Sequence, residues 1–373
     1  MQERPPTGGA SQPAMTTAHG AVDGPQDVRD RLARPLRDLR ISVTDRCNLR
    51  CPYCLPREAF RRGFTFMPHE ELLSFEEIAR VCQAFARLGV RKLRLTGGEP
   101  LLRRDLERLV EMLAAIEGVE DIALTTNGTL LAAKAASLAS AGLNRVTVSL
   151  DALDAATLEA MSGARLEPEH VLEGIEAAQA AGLHPIKVNM VVRRGINDHR
   201  VPVMAEHFRH RRQTLRFIEY MDVGTSNEWR RDEVVPSAEV LAAIAGLWPL
   251  EGLPGDSQNA VATRYRYLDG AGEIGVISSI TSPFCGGCSR ARMSAEGKLY
   301  TCLFATEGLD LRALLREGIE DGALGNRLRQ VWGARSDRYS AERAVRAPTT
   351  VERDQGRDSG RPRRRIEMSY IGG

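Results

Sequence analysis

Apolar residues along this chain recur in two rhythms that take turns. Between positions 36 and 222, short apolar runs of strand length alternate with longer stretches whose apolar residues return every three to four positions. The spacing predicts strands at 36–44, 92–97, 121–126, 145–151, 185–192 and 214–221. It predicts helices over 74–88, 103–117, 130–141, 168–181 and 199–211. The first helix opens on a capping box, Ser74 with Glu77, and its apolar stripe is Ile78, Val81, Cys82 and Phe85. Cys82 on that stripe reads as core. Strand and helix in turn imply a parallel sheet under covering helices. Six such strands predict an α/β fold, an incomplete, TIM-like (βα)6 barrel; a closed eight-stranded barrel is the alternative.

After Asp222 the rhythm lapses. Runs at 264–269 and 273–280 read as an antiparallel pair turning at Gly270 and Gly272. A barrel over 36–222 is therefore expected to carry a C-terminal antiparallel extension over 223–335. Residues 1–30, rich in Pro, Gly and small polar residues, read as a disordered leader in which Met15 is a second candidate start. Segment 336–373 reads as a mobile basic tail. Its end, EMSYIGG, turns apolar again, the mark of a segment that docks on the domain.

Composition narrows the class. With 43% hydrophobic residues in 373, the chain can bury a large core, and a net charge of +2 points to neither nucleic acid nor membrane. The first residues have no apolar signal core, and no run of about eighteen apolar residues occurs. A cytoplasmic protein with reduced thiols is expected. Of seven cysteines, six fall in two tight groups, which suits metal better than disulfides.

The first group, Cys47, Cys51 and Cys54, has the spacing C-x3-C-x2-C just past the first strand. A four-iron cluster normally takes four thiolates, so three leave one iron open to a small chelating molecule. A zinc site is the alternative, but it wants a fourth ligand, and the nearest candidate is His69. After the second strand comes Thr96-Gly97-Gly98-Glu99-Pro100, where two glycines let backbone approach a ligand, and a carboxylate and backbone carbonyls stand ready for its amino group. The second group, Cys285, Cys288 and Cys302, again offers three thiols, with a zinc ribbon as its alternative. Between Cys288 and Cys302 sit Arg290 and Arg292. On extended backbone they share a face and form an anion site suited to a polyphosphate, unless they are a solvated surface pair.

The cysteine spacing with Tyr53, together with GGEP, resembles the radical S-adenosylmethionine superfamily. C-x2-C-x-R-x-R, GKL-x-x-CLF, FIEYMDVG and the terminal MSYIGG resemble, within it, the GTP 3′,8-cyclase (MoaA) family of molybdenum-cofactor biosynthesis. The resemblance implies two [4Fe-4S] clusters and S-adenosylmethionine as cofactors, with GTP as substrate. It implies that a 5′-deoxyadenosyl radical takes hydrogen from C3′ of GTP, which then closes on C8. Residue by residue it assigns Cys47, Cys51 and Cys54 to the first cluster and Cys285, Cys288 and Cys302 to the second. It assigns Tyr53, Gly98, Ser149 and Met221 to S-adenosylmethionine, and Arg40, Arg94, Thr125, Lys187, Arg290 and Arg292 to GTP. Gly372 and Gly373 match a terminal double glycine needed for activity. A reduced flavodoxin- or ferredoxin-type donor and hand-over to a cyclic pyranopterin monophosphate synthase are implied as partners, and a homodimer is left open. Two other readings are weaker. A peptide-modifying two-cluster enzyme usually carries longer C-terminal cysteine arrays. A zinc-dependent nucleic-acid module would show a basic stripe and more than 5% aromatic residues.

Overall fold

The computed structural model describes residues 27–55, 65–224, 227–255, 260–345 and 366–371. Six strands and their helices follow in turn: β1 Asp38–Ser42, α1 Phe75–Arg87, β2 Lys92–Thr96, α2 Leu106–Ala114, β3 Asp121–Thr126, α3 Leu131–Ser140, β4 Arg145–Ser149, α4 Ala155–Ser162, α5 Pro168–Ala180, β5 Lys187–Val192, α6 Val201–Phe208 and β6 Thr214–Glu219. Neighbours from β1 to β6 all pair in parallel. The capping box at α1 is formed: Glu77 N–H donates to Ser74 Oγ at 3.1 Å, and Ser74 N–H donates to Glu77 Oε2 at 2.8 Å. Cys82 is fully buried in the core. Helix α4 is an addition to the expected pattern, started by Asp154, whose side chain accepts from Thr157 N–H.

The chain continues through α7 Ser237–Ala245, β7 Leu250–Gly252, β8 Thr263–Tyr267, β9 Glu273–Ile277, β10 Arg290–Met293, β11 Lys298–Tyr300, β12 Leu309–Asp310, α8 Leu311–Arg316, α9 Asp321–Gly333, α10 Tyr339–Val345 and α11 Met368–Ile371. As expected, β8 and β9 pair antiparallel around Gly270 and Gly272, both with positive φ. The extension also pairs β10 with β11 and β11 with β12 antiparallel, as expected, and it joins the core sheet at both edges. Strand β9 adds to β6 in parallel, and β10 adds to β1 in parallel. The result is one sheet in the order β12-β11-β10-β1-β2-β3-β4-β5-β6-β9-β8-β7. The C-terminal region thus clasps both edges of the six-stranded core, which would otherwise offer unpaired backbone.

The alternation within the strands decides where a site can lie. Leu39, Ile41, Leu93, Leu95, Val146 and Val148 are buried, and side chains alternate between the two faces of a strand. The other face carries Arg40, Arg94, Thr125, Thr147, Asn189 and Arg216, which line an interior cavity. Register sets Arg292, Arg40 and Arg94 side by side on β10, β1 and β2. The barrel is apolar under its helices and polar in its lumen. Among the described residues, no helix is long and apolar enough to cross a membrane.

Candidate active site

The loop after β1 carries the first thiol trio in a short helical turn, where Cys54 N–H donates to the Cys51 carbonyl at 3.0 Å. All three thiols are free. The two glycines after β2 serve this loop. Gly98 N–H donates to the Thr44 carbonyl at 2.9 Å, and a Cβ on Gly98 would fall 2.3 Å from the Arg46 carbonyl. Their close approach is therefore to the cysteine loop itself. Glu99 differs from expectation too. It is 1% exposed and accepts from Leu101 N–H, Asn127 N–H and Thr126 Oγ1, so it staples two loops together and has no free edge for a ligand's amino group.

Tyr53 follows the same logic. Its hydroxyl donates to Asp151 Oδ2 at 2.7 Å, while Val191 N–H donates to Oδ1 at 2.8 Å. Burial pushes the Asp151 carboxyl up to about 6, against the pull of these hydrogen bonds. Burial, then the neighbouring Cys54 thiol and Asp151, push the Cys51 thiol well above its ordinary value. Cys54 is pushed to about 12 by burial, with Cys47 and Glu367 adding to it.

The second trio sits at the β1 edge. Cys285 opens a single 3-10 turn, Cys288 precedes β10, and Cys302 follows β11. Burial would raise the Cys288 thiol, but the guanidiniums of Arg290 and Arg335 bring it down to about 6, a thiolate-favouring environment. Burial pushes Arg40 well below its ordinary value, and Arg292, Arg290 and Arg94 press it further by repulsion. Arg94 and Arg292 fall to about 10 and Arg216 to about 9, chiefly through burial. Arg94 donates to Thr125 and Thr147 hydroxyls at 3.1 and 3.2 Å. Buried cations that repel one another call for a polyanion between them.

Both trios wall one cavity of about 390 Å³. It is lined as well by Tyr53, Gly98, Ser149 and Met221, and by Arg40, Arg94, Thr125, Arg290 and Arg292. Lys187 is not among the lining residues. It opens β5 beside Arg216, Arg145 and Arg94, where burial pushes its ammonium down to about 8. Gly372 and Gly373 lie outside the described residues, but the preceding α11 packs on β1 and brings Met368 to the cavity. Reasoning from sequence missed Arg216, Asp151 and Arg335, all of which line the cavity. For Arg216 the signal existed: it holds a polar, inward position in an alternating strand.

The donor set fits an iron–sulfur cluster at each trio. Each offers three thiols and no fourth. Among the described residues, no three His, Cys, Asp or Glu side chains converge on a single ion. A closed zinc site needs four ligands around one ion, whereas in a four-iron cluster each thiolate takes its own iron.

Residues 41–208 match the model of the Radical SAM superfamily, and residues 213–341 match Molybdenum Cofactor Synthesis C. The fold also resembles Streptococcus suis SuiB bound to S-adenosylmethionine, at 13% identity and a TM-score of 0.56, over 83% of this chain and 69% of that one. That likeness concerns the fold alone. Barrel, cysteine loop and family model together define a radical S-adenosylmethionine enzyme. Curated relatives narrow this. GTP 3′,8-cyclases from Acidothermus cellulolyticus, Xanthomonas axonopodis pv. citri and Staphylococcus aureus are 54%, 50% and 44% identical, each over 93% of this chain and 99% of theirs. The chain belongs to the GTP 3′,8-cyclase family. The family brings a [4Fe-4S] cluster with S-adenosylmethionine, and a second cluster is consistent with it.

Proposed function

We infer that the chain converts GTP and S-adenosylmethionine to 3′,8-cyclo-7,8-dihydro-GTP, 5′-deoxyadenosine and methionine, an early step of molybdenum-cofactor biosynthesis. The observation that carries this is the single cavity walled by both thiol trios and by buried arginines from β1, β2, β6 and β10. Cys47, Cys51 and Cys54 hold the first cluster, and Cys285, Cys288 and Cys302 hold the second. When bound, the first supplies the electron that cleaves S-adenosylmethionine, and the second supplies an open iron for the guanine base.

The chain's own groups bind, orient and shield. Tyr53, Gly98, Ser149 and Met221 form the S-adenosylmethionine side. Arg40, Arg94, Arg290 and Arg292 grip the triphosphate, since planar guanidiniums donate paired hydrogen bonds to phosphate. Thr125 accepts from Arg94 and fixes its angle. Lys187 adds positive charge at the entrance of β5, and Arg216, whose basicity burial depresses, is a further grip from the opposite wall. Gly372 and Gly373 are taken as the terminal double glycine that activity needs. The division of labour is a barrel over 36–222, a GTP-binding region with the second cluster over 223–335, and a tail over 336–373 behind the leader 1–30. A flavodoxin- or ferredoxin-type donor, hand-over to a cyclic pyranopterin monophosphate synthase, homodimer formation and a cytoplasmic setting complete the reading.

Anaerobic incubation with GTP, S-adenosylmethionine and a reductant tests it. Formation of 5′-deoxyadenosine together with a cyclised GTP is expected. Deoxyadenosine without any change in GTP would defeat the reading. Arg290→Ala is expected to weaken GTP binding with both clusters in place; unchanged affinity would remove its phosphate role.

A further inference from the structure

A buried charge network unconnected with the six cysteines in sequence surrounds the second trio. Asp30, Arg34 and Arg335 are 6%, 2% and 4% exposed. Asp30 Oδ2 accepts from Arg34 Nε at 2.6 Å and lies 3.4 Å from Arg335 Nη1. The two guanidiniums then reach into the cysteine loop. Arg34 Nη1 donates to the Cys285 carbonyl at 3.0 Å and the Asp337 carbonyl at 2.8 Å. Arg335 Nη1 donates to the Cys288 carbonyl at 2.7 Å, and its Nη2 donates to Cys288 Sγ at 3.2 Å. Stacking of the Arg335 guanidinium on Trp332, 4.5 Å from the ring centre, fixes its plane.

Two buried donors in this network lack a hydrogen-bond acceptor, Arg34 Nη2 and Arg335 Nε, the latter 3.5 Å from Asp337 Oδ2. Arg34 lines the cavity alongside Cys285. A buried N–H is almost always paired, so this geometry asks for an acceptor that the side chains do not supply. The sulfur atoms of a cluster held by the trio are acceptors of that kind, and hydrogen bonds to them tune its potential.

We propose that Arg34 and Arg335, pinned by Asp30, are positioning residues that donate N–H to sulfur of the second cluster and favour its one-electron reduced form. This rests on the reading that Cys285, Cys288 and Cys302 hold a cluster. Both guanidiniums are spent on the thiol loop rather than on the strand face that carries Arg40 and Arg292, which separates them from the phosphate grip. Reduction adds a negative charge to the cluster, and a fixed cation with N–H donors stabilises the product of that step.

The test uses the full chain, reconstituted with iron and sulfide and titrated with dithionite under paramagnetic-resonance detection. In Arg335→Gln and Arg34→Gln the second cluster's midpoint is expected to move to more negative potential, while the first cluster's midpoint and the GTP dissociation constant stay put. Unmoved midpoints with full iron content overturn the proposal. So does a loss of GTP affinity without a change of potential, which would make the two residues phosphate ligands. Should the Gln variants fail to assemble the cluster, the wild type decides: exchangeable protons coupled to the second cluster, seen by comparing H2O with D2O, are expected, and their absence overturns the proposal. A wild type that takes up no second cluster would instead defeat the cluster reading itself.

Discussion

Cys51 and Cys288 stand on the wall of one cavity and are held in opposite ways. Around Cys51 and Cys54, burial, the neighbouring thiols, Asp151 and Glu367 all disfavour added negative charge. Around Cys288, Arg290 and Arg335 outweigh burial and bring the thiol down to about 6. The difference matches the two small molecules proposed for the two ends. S-adenosylmethionine carries a sulfonium and an ammonium, and the end with Asp151 and Glu367 suits a cation. GTP carries a triphosphate, and the end with Arg40, Arg290 and Arg292 suits a polyanion. One cavity is thus polarised along its length, and that polarity orients two ligands without a wall between them.

The largest effect separates the ends outright. Cys51→Ala is expected to abolish 5′-deoxyadenosine formation and to leave about half the iron, because only the second trio still holds a cluster. Cys288→Ala is expected to retain S-adenosylmethionine cleavage and to lose the cyclised product. Product analysis with iron and sulfide assay reads both, and identical behaviour of the two variants would erase the distinction. Next in size come the cations. Arg40→Ala and Arg216→Ala are each expected to weaken GTP binding about 10- to 100-fold, the range for a charged hydrogen bond, with S-adenosylmethionine affinity unchanged. Equal losses for both ligands in calorimetry would mean that charge is not sorted along the cavity.

How much of this was visible in the residues alone depends on the range of the interaction. Strands β1 to β6 announce themselves by alternation, and α1 by its cap, because these are local patterns. Each thiol trio with its motif is local as well. By contrast, a polar residue that points into a barrel lumen has the same alternating spacing as one that points to water, so alternation set Arg216 off the core face without telling lumen from solvent. Strands β9 and β10 join opposite edges of the sheet, a register that no local pattern encodes. The bond between Asp30 and Arg335 spans 305 positions and ties a stretch read as leader to a residue beside the tail. The paired arginines Arg290 and Arg292 were legible in sequence, while Arg40 and Arg94, known there only through the resemblance, stand at mid-strand within the lumen.

Backbone fit gives a smaller contrast between the two cysteine loops. A methyl at Gly98 would meet the Arg46 carbonyl at 2.3 Å, whereas a Cβ on Gly286, between Cys285 and Cys288, meets nothing within 4 Å. Gly98→Ala is expected to cost about 1–3 kcal/mol, typical of overpacking, and to lower occupancy of the first cluster alone. Gly286→Ala is expected to be neutral. Thermal melts and iron content of the two variants check this, and a stable, fully loaded Gly98→Ala protein would show that the cysteine loop yields more than its hydrogen bonds imply.

The subtlest effect concerns Glu99, the staple behind the first trio. Burial pushes its carboxyl up to about 7, against three hydrogen bonds that favour the ionised form. A carboxyl raised on folding binds more protons in the folded state than in the unfolded one. Its contribution to stability is therefore fully present below about 4.5 and is lost as pH rises through about 7. Glu99→Gln keeps the shape, removes the titration, and turns one acceptor oxygen into an amide facing the Asn127 N–H or the Thr126 hydroxyl. A loss of about 1–2 kcal/mol is expected in acid, as for a buried donor left unmatched. Because only the wild type weakens with rising pH, the gap between the two proteins is expected to narrow from pH 5 to pH 8 in denaturant melts. A gap that widens instead would mean that the donors from Leu101, Asn127 and Thr126 outweigh burial and hold Glu99 ionised, which would make the first trio's end of the cavity still more acidic and the contrast with Cys288 sharper.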